Sequence, residues 1–385
     1  MPLCSPFCWY RLTNPILVRH SHQNVNGDIL PRQRTPGMIT IRDIARESGF
    51  SIGTVSIVLN DAPLARYMSA QTKEHIKEVA HRLGYSPNQF ARSLRGSRSH
   101  TVGVMVIDVT DPFCTPILRG IEGSLYKASY LSIFADAQND HARFERYLEM
   151  MLERRVEALI VIANWMLVDI TLLSDIEKHR IPTVIVAREL QPDSVSSVLV
   201  DNQAGARMAI EHLHELGHRE IAFIRGPEAI GDSELRWNAI RSFARSSHLK
   251  LDPKLILEMP SVIDTNHGFE AAQKLTEELI KHKRRFTAIL AYDDITALGA
   301  TRALIKAGIK VPEQCSVIGF DDVAPAAFAS PPLTTIRQPM ETMGSVAVEI
   351  ASAAIKAGLE KREITTLHRK LMPELVVRQS TRRLE

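Results

Sequence analysis

Residues 41–59 read IRDIARESGFSIGTVSIVL, and this stretch decides the fold of the amino-terminal part of the chain. Gly49 stands where a sharp turn between two short helices would disfavour a Cβ, and Ser51 can cap the second helix. An Ala, a Gly four residues later and a Val six residues after that give the spacing of a DNA-binding helix-turn-helix, whose second helix lies in the major groove. An ordinary helical hairpin inside a core is the alternative. The apolar residues at helical spacing on the two segments are Ile41, Ile44, Ala45, Val55, Val58 and Leu59.

A third helix is predicted over residues 69–84, because Ser69 offers a capping hydroxyl and an apolar stripe at helical spacing follows it. The stripe consists of Ile76, Val79, Ala80 and Leu83. The segment YSPNQFARSLRG comes next, at residues 85–96. A third helix directly after the hairpin favours the DNA-binding interpretation over the core hairpin.

Several short motifs carry a resemblance that goes beyond this helical pattern. They are TIRDIA at 40–45, Gly49, TVS at 54–56, VLN at 58–60 and GYSPNQFARSL at 84–94. In this combination the sequence resembles the LacI/GalR family of lac-repressor-type transcriptional regulators, from about Ile39 to Thr381. The resemblance implies a sequence-specific DNA-binding repressor whose operator affinity is set allosterically by a bound small molecule.

The resemblance also implies the domain organisation. Residues 1–37 match nothing in that family, and we expect them to be a disordered or wrongly assigned extension, with Met38 as the native start. Residues 38–86 are expected to form the helix-turn-helix DNA-binding domain and residues 87–98 a hinge helix. Residues 101–381 are expected to form a two-lobed domain for effector binding and dimerisation.

Composition restricts the class of protein. The chain has 385 residues, of which 45% are hydrophobic and 24% charged, as in ordinary soluble proteins. Its cysteines show no disulfide or metal spacing, and no apolar run approaches the ~20 residues of a membrane span. These cysteines are Cys4, Cys8, Cys114 and Cys315. We therefore expect a cytoplasmic protein with no membrane, metal or cofactor.

Charge is distributed unevenly along the chain. Residues 38–100 hold 9 Lys/Arg against 5 Asp/Glu, whereas residues 101–385 hold 34 against 38. A basic head on a mildly acidic body suits a head that binds the phosphate backbone of DNA. A solvated charged face would produce the same balance.

Apolar runs alternate with helical patterns from Thr101 onward. The runs lie at 102–107, 131–134, 158–163, 183–187, 221–224, 288–291 and 316–320. Such runs are typical of parallel strands buried on both faces, and their alternation with helices predicts doubly wound α/β layers. Because there are too many for one compact sheet, we expect two lobes. The resemblance implies a periplasmic-binding-protein-like domain. In such a domain the chain crosses between the two lobes three times, and the ligand binds in the cleft between them.

Short polar side chains near the ends of the predicted helices suit phosphate contacts, which set register without reading sequence. They are Thr40, Ser51, Thr54, Ser56, Asn60 and Thr72. By resemblance, Ile52, Gly53 and Ile57 face base edges. Family members often carry Arg, His or Ala at the position of Ile57. An Ile cannot make the bidentate guanine contact of an Arg and would pack on a thymine methyl instead.

The resemblance assigns Asn88, Ala91, Leu94 and Arg95 to a hinge helix that enters the minor groove. Two such helices from a homodimer would insert Leu94 at the central step of a pseudo-palindromic operator and kink it. Leu followed by Arg resembles members whose operators centre on CG. Packing between domains is the alternative for Leu94. Since one helix-turn-helix reads one half-site, we expect a dimer.

Four residues fit the effector positions of the family: Phe113, Arg188, Arg236 and Asp294. Phe113 would stack on a ring, the arginines would donate hydrogen bonds, and Asp294 would hold hydroxyls of a sugar or sugar derivative. Two arginines do not distinguish a sugar from a sugar acid or a sugar phosphate. The alternatives are core packing for Phe113, ion pairs for the arginines and a helix cap for Asp294.

One motif points to a different class of protein. His214 and His218 match the HExxH zinc-protease pattern, which needs both histidines on one helix. Gly217 indicates a helix end between them, so we expect no metal-dependent hydrolase and no enzyme. A periplasmic-type sugar-binding protein is the other alternative, but it would leave residues 39–96 unexplained.

Overall fold

The computed structural model describes residues 39–60, 62–85, 98–163, 181–188, 195–228, 231–260 and 265–384. The chain divides into two compact units, residues 1–88 and residues 89–385. The described part of the first unit contains α1 (Ile41–Ser48), α2 (Ile52–Leu59), a 3-10 turn (Pro63–Tyr67) and α3 (Ala70–Arg82).

Local hydrogen bonds explain why the helices of the first unit begin and end where they do. The Ser51 hydroxyl accepts the N–H of Thr54 at the start of α2, and the Ser69 hydroxyl accepts that of Thr72 at the start of α3, both at 3.1 Å. Gly49 ends α1 at φ 74°, in the left-handed region that favours glycine. The predicted apolar stripes meet in one core, which contains Ile44, Ala45, Val55, Val58, Ile76, Val79 and Ala80.

The second unit alternates strands and helices. Its strands are β1 (Thr101–Val106), β2 (Leu131–Asp136), β3 (Ala158–Ile162), β4 (Thr183–Val186), β5 (Ser196–Val200), β6 (Ile221–Arg225), β7 (Ile256–Glu258), β8 (Ala288–Ala291), β9 (Ser316–Asp321), β10 (Thr334–Arg337), β11 (His368–Leu371) and β12 (Glu374–Val376). Its helices are α4 (Cys114–Lys127), α5 (His141–Glu153), α6 (Asn202–Glu215), α7 (Gly231–Ser246), α8 (Thr265–Lys281), α9 (Asp294–Lys306), α10 (Ala324–Phe328) and α11 (Met340–Leu359), with a 3-10 turn at Pro253–Leu255.

The strands form two six-stranded sheets. Sheet A has the order β11-β5-β4-β3-β1-β2 and sheet B the order β12-β10-β9-β8-β6-β7. All pairs are parallel except β10 with β12. The chain therefore passes between the sheets three times, after β5, after β10 and after β11. The predicted two-lobed, doubly wound fold is confirmed.

The sequence predicts the strands that coincide with continuous apolar runs. Strands β1, β3, β4 and β8 are almost fully buried along their length, because helices cover both faces of a doubly wound sheet. The apolar-run criterion does not find β5, β7, β10, β11 and β12. Strand β11 reads HRKL and is largely exposed, and β7 and β12 have three residues each.

Helix α11 corrects one expectation from the sequence. With 20 residues and a mean hydropathy of 1.2, it is long and apolar enough to match a membrane span by length and composition. Its buried face instead packs against α4 and against β3, β4 and β5 of sheet A. The contact with α4 is close: a Cβ on Gly344 would lie 2.2 Å from the Ile117 carbonyl oxygen, and one on Gly120 would lie 2.0 Å from that of Glu341.

Candidate functional site

The candidate DNA-reading surface is the outer face of α2. Val55 and Val58 face the core, while Ile52 is 51% exposed, Gly53 is exposed and Ile57 is half-buried. The three residues predicted to face bases thus share the side of α2 that the core leaves accessible. Two aliphatic side chains and a glycine can contact thymine methyl groups but provide no hydrogen-bond donor for guanine.

The predicted phosphate-binding hydroxyls already make local hydrogen bonds. Ser51 lies 2.9 Å from the Thr54 hydroxyl, and the Asn60 amide donates to the carbonyl and the hydroxyl of Ser56. A hydroxyl that accepts one bond can still donate its own hydrogen to a phosphate. These residues therefore keep the capacity that their predicted role requires. The Thr72 side chain has the same arrangement, with its hydroxyl 2.9 Å from that of Ser69.

Thr40 uses both of its donors within its own helix. Its hydroxyl donates to the Asp43 carboxylate at 2.7 Å, and its N–H donates to the same oxygen at 3.0 Å. Both donors of Thr40 are directed at its own helix, and a phosphate would need one of them. In this structure Thr40 stabilises the first turn of α1, and its predicted phosphate contact stays a prediction.

A surface that the sequence did not indicate follows α2. Leu64 and Tyr67 are exposed on the 3-10 turn, and the Arg66 guanidinium lies 4.7 Å from the centre of the Tyr67 ring and donates to its hydroxyl. A short 3-10 segment has no apolar periodicity, so the sequence gives no signal for it. The predicted hinge residues Asn88, Ala91, Leu94 and Arg95 lie outside the described residues, as do residues 1–37.

An Ile57→Arg variant should change the base preferred at one half-site position. The new guanidinium would start from an accessible place on α2 and could make the bidentate contact to guanine, worth about 1–3 kcal/mol of discrimination. Selection of binding sites from a random pool would show the new preference. An unchanged site logo would contradict the placement of Ile57.

The second candidate site is a cleft in the effector body. It opens where the carboxyl ends of β1, β4 and β5 of sheet A meet those of β6, β8, β9 and β10 of sheet B. About 640 Å³ of space, part of it open to solvent, lies there. The described lining consists of Asp111, Phe113, Ala187, Val200, Asp232, Arg236, Gly268, Tyr292, Asp293, Ile295, Asp321, Val323 and Gln338.

Arg236 is the most firmly held residue of the cleft. From α7 its Nε donates to the Asn202 side chain at 2.8 Å and its Nη1 donates to the Tyr292 carbonyl at 2.6 Å. Its guanidinium lies 3.6 Å from the centre of the Phe320 ring, and its Nη2 lies 4.0 Å from Asp321. Because the plane of the group is fixed on these sides, the guanidinium is preorganised to donate in one direction.

Asp321 carries backbone strain at the same place. Its φ of 116° lies in the region that non-glycine residues rarely adopt, and its carboxylate accepts from the Gln338 amide at 2.6 Å. Burial raises the pKa of Asp321 well above its ordinary value, although the charge of Arg236 opposes this shift. Strain of this kind is concentrated at ligand sites, where the surrounding structure holds it.

Arg188 contributes a buried donor. Its Nη1 is shielded from solvent and has no hydrogen-bond partner within the described residues. Burial lowers the pKa of Arg188, while the charges of Asp232 and Tyr292, both of which line the cleft, act in the opposite direction. A buried guanidinium nitrogen without a partner is costly, so it is a natural donor to a bound ligand.

Phe113 lines the cleft and also belongs to the core. It is 5% exposed at the start of α4, where its N–H donates to Asp111 at 2.9 Å. It packs with Ile117 and Val323 in the core of the lobe that contains sheet A. Phe113 therefore both packs in this core and borders the cavity, and its predicted contact with an effector stays a prediction.

Asp294 does not face the cleft, which corrects the sequence-based prediction. Its carboxylate accepts from the Val323 N–H at 2.9 Å and from the Thr335 hydroxyl at 2.5 Å, and the residue is fully buried. The neighbouring Asp293 lines the cavity and caps α9 by accepting the Thr296 N–H at 2.7 Å. Asp293 is therefore both the residue that caps α9 and the carboxylate that lines the cleft.

The burial of Asp294 leads to a pH-dependent prediction. Burial raises its pKa to about 8, so the folded protein holds a proton that the unfolded chain releases. The resulting stabilisation is complete below the unfolded pKa of about 3.9 and is lost as the pH rises through about 8. We expect the free energy of unfolding of Asp294→Asn to decrease less steeply with pH. The amide can accept from the Val323 N–H and donate to the Thr335 hydroxyl, and it does not titrate.

Denaturant unfolding at several pH values between about 5 and 9 would measure this effect, which is at most about 1.4 kcal/mol per pH unit. Asp140→Asn, which changes an exposed cap at the start of α5, is the matched control and should leave the slope unchanged. Parallel slopes for wild type and Asp294→Asn would contradict the prediction.

The HExxH motif has a structural role. Helix α6 ends at Glu215 and Gly217 turns the chain at φ 94°, so His214 and His218 do not share a helix. The ring of His218 is buried between the Thr287 hydroxyl at 2.9 Å and the Arg382 carbonyl at 3.1 Å. Both nitrogens of that ring are occupied by protein atoms and cannot bind a metal in this arrangement.

Comparison with known proteins identifies both units of the chain. The family model for bacterial regulatory proteins of the lacI family matches residues 40–88, and that for a periplasmic binding protein-like domain matches residues 210–381. The HTH-type transcriptional repressor PurR of Aliivibrio salmonicida is 31% identical over 350 residues, covering 90% of this chain and all of that one. The chain belongs to the LacI family. This LacI-family protein is therefore a DNA-binding transcriptional repressor with an effector-binding body.

Two further relatives of this LacI-family protein extend the comparison. The ribose operon repressor of Escherichia coli is 32% identical over 317 residues, which cover 81% of this chain and 92% of that repressor. The structure of a complex of the transcriptional regulator CelR with cellobiose is 27% identical, with a TM-score of 0.66 and coverage of 89% of this chain and 99% of that one. These relatives are transcriptional regulators, as the helix-turn-helix predicts.

Proposed function

We propose that this repressor binds a pseudo-palindromic operator as a homodimer and that a neutral sugar in the cleft sets its operator affinity. The observation that carries the effector class is the balance of charge. Four carboxylates, those of Asp111, Asp232, Asp293 and Asp321, line the cleft. Among the described lining residues, Arg236 is the one positively charged group. Arg188 adds a second positive charge, close to the lining residues Asp232 and Tyr292.

This balance opposes an anionic effector. If all four carboxylates are ionised the site is negative, and even with Asp293 and Asp321 protonated by the burial that raises their pKa, the site is no more than neutral. An anion would therefore meet no excess positive charge to repay its desolvation. A polyol can donate to carboxylates and accept from guanidinium groups, while Phe113 and Tyr292 offer apolar faces for a ring.

On the DNA side, the proposal gives sequence readout to Ile52, Gly53 and Ile57 of α2. Ser51, Thr54, Ser56, Asn60 and Thr72 would contact phosphates, and Asn88, Ala91, Leu94 and Arg95 would form the hinge helix in the minor groove. The support is the accessible face of α2 and the match of residues 40–88 to the lacI family. We likewise assign residues 38–86 to a DNA-binding domain, residues 87–98 to a hinge and residues 101–381 to the effector domain, and the family matches over residues 40–88 and 210–381 support this division.

A second copy of the chain is the partner that the proposal requires. One helix-turn-helix reads one half-site, so a palindrome needs two. Strand β2 is the outer strand of sheet A, and exposed apolar side chains lie on it or on the adjacent α4: Tyr126 is 85% exposed, Leu131 66% and Phe134 49%. Exposed apolar side chains on and beside an edge strand suit an interface between identical subunits. Since its target is DNA, we place the protein in the cytoplasm.

Capture of genomic fragments on the purified protein, followed by sequencing, tests the DNA-binding part. We expect an enriched pseudo-palindrome with a CG-like centre. If only diffuse, salt-sensitive binding is found, the capture is repeated with a panel of neutral sugars. The same diffuse binding in their presence would contradict the proposal. Titration of the captured operator with neutral sugars and the matching sugar phosphates tests the effector class. A response to phosphates only would overturn the assignment of a neutral sugar.

A further inference from the structure

Two adjacent aspartates with an unusual backbone conformation stand at the end of β9. Asp321 has a φ of 116° and Asp322 a φ of 62°, and residues other than glycine are uncommon at such positive values. Asp321 lines the effector cleft, whereas Asp322 is not among the described lining residues. A backbone of this kind persists only where the surrounding structure holds it, so the contacts of Asp322 need an explanation.

The carboxylate of Asp322 binds two arginines. Its Oδ2 accepts from the Nε of Arg337 at 2.7 Å, and its Oδ1 accepts from the Nη2 of Arg378. The side chains of Asp322 and Arg378 are mostly buried, while that of Arg337 is half-exposed. Because water and salt screen a shielded ion pair less than an exposed one, the pair with Arg378 is the stronger tie.

The two arginines belong to different segments of sheet B. Arg337 is the last residue of β10, which pairs in parallel with β9. Arg378 follows β12, where its Nη1 donates to the Leu333 carbonyl at 2.7 Å and its N–H donates to the Thr334 hydroxyl at 2.9 Å. The carboxylate of Asp322 therefore fastens the end of β9 both to the neighbouring strand and to the segment after β12.

The position of the Asp321 carboxylate depends on the same backbone. Its Oδ1 accepts from the Gln338 amide at 2.6 Å and lies 4.0 Å from the Nη2 of Arg236. Since Asp321 and Asp322 share a peptide group, a rotation of that group would move the Asp321 side chain relative to both partners. Gln338 in turn follows Arg337 directly. The placement of a carboxylate in the cleft thus depends on ion pairs made by the next residue.

We propose that Asp322 is a positioning residue of the effector site. Its two ion pairs hold the left-handed backbone that presents the Asp321 carboxylate to the effector. The inference rests on the proposed function, in which the carboxylates of the cleft accept hydroxyl groups of a neutral sugar. A carboxylate that is already oriented loses less conformational freedom when the sugar binds, so Asp322 raises the affinity without touching the sugar.

The test is a double-mutant cycle on the full chain with Asp321→Asn, Asp322→Asn and the variant that carries both. Asparagine has the shape of aspartate and also tolerates positive φ, so Asp322→Asn removes the ion pairs and spares the backbone preference. The calorimetric probe is the member of a panel of neutral mono- and disaccharides that binds the wild type most tightly. We expect Asp322→Asn to bind it about tenfold more weakly. The double variant should bind like Asp321→Asn, because Asp322 acts through Asp321.

Glu220→Gln is the matched control. It also removes a carboxylate paired with an arginine of the same lobe, but the pair with Arg285 lies at the amino ends of the strands, and the sugar affinity should not change. Wild-type affinity in Asp322→Asn would overturn the proposal. Losses that multiply to about a hundredfold in the double variant would also overturn it, as would an equal loss in Glu220→Gln.

Arg337→Gln covers the case in which Asp322→Asn does not fold. It removes only the half-exposed partner and keeps the pair of Asp322 with Arg378, so we expect a folded protein with about threefold weaker sugar binding. Wild-type affinity in this variant would count against the proposal in the same way.

A crystal structure of Asp322→Asn gives a readout that does not depend on a sugar. We expect the Asp321 carboxylate to have left the Gln338 amide, with β9 itself in place. An unchanged φ at Asp321 and an unchanged hydrogen bond to Gln338 would overturn the proposal. If the wild type binds no neutral sugar, the proposed effector class fails, and the crystallographic comparison still decides the role of Asp322.

Discussion

Replacing Arg236 by alanine is expected to weaken effector binding by at least a hundredfold, or about 2.7 kcal/mol. The guanidinium is the one cation among the described lining residues of the cleft, and its direction is fixed by Asn202 and by the Tyr292 carbonyl. Truncation removes the donor that the proposed function assigns to the effector. It also removes the Arg236 hydrogen bonds to those two buried acceptors, so the thermal midpoint should fall as well.

Loss of stability alone does not explain a loss of binding, so Arg236→Lys is the informative second variant. It keeps the positive charge near Asp321 but loses the planar group that lies on the Phe320 ring at 3.6 Å. We expect an intermediate effector affinity with a largely restored midpoint. Arg245→Ala, at an exposed position of the same helix, is the control and should bind like the wild type.

Calorimetric titration with the neutral sugar that changes operator binding of the wild type would measure these affinities. Operator binding of Arg236→Ala without sugar should persist, because the residue lies in the effector body. Unchanged affinity for the sugar in Arg236→Ala would remove the cleft from the proposed mechanism.

The second large effect is expected for Gly344→Ala, which should lower the free energy of unfolding of the effector body by about 1–3 kcal/mol. The new methyl group would lie 2.2 Å from the Ile117 carbonyl oxygen on α4, and neither backbone can move without disturbing sheet A beneath. Alanine gains helix propensity of about 0.8–1 kcal/mol over glycine, so the measured loss is the clash minus this gain.

Gly358→Ala provides the matched control on the same helix. A Cβ there would meet only the end of the Ile364 side chain, at 4.0 Å. We expect a small stabilisation, of about 0.4–1 kcal/mol, because the substitution restricts the unfolded chain. Denaturant titrations of the two variants would settle the comparison. Equal effects at the two positions would mean that α4 and α11 do not approach each other this closely.

The sequence predicts the parts of the fold whose cause is local. The helix-turn-helix follows from apolar spacing, Gly49 and the Ser51 cap, and the buried strands follow from continuous apolar runs. Strand β5 has no such signal because it begins with Ser196 and Ser197. Those two hydroxyls are buried on the sheet by bonds to the Leu367 N–H and to His368, which are 171 residues away.

The sequence likewise predicts only those residues of the cleft that have a local signal. Arg236 and Arg188 follow from motifs, and both lie at or beside the cavity. The choice between Asp293 and Asp294 depends on the residue at which α9 begins, and adjacent carboxylates give no local preference. What decides it is Thr335, which approaches Asp294 from another strand. A contact of this range is a property of the folded sheet and leaves no pattern in nearby sequence.

The three passages of the chain between the sheets also govern how the protein can be made. Sheet A receives its covering helix α11 and its edge strand β11 only after all but one strand of sheet B has been synthesised. The amino-terminal lobe therefore cannot complete its core while the chain is still growing, and it must wait for residues 340–371. A ribosome-bound intermediate that ends before this segment would expose the faces of β3, β4 and β5 that α11 covers. Chaperone protection during synthesis, and a single cooperative melting of both lobes, are the expected results of this interleaving.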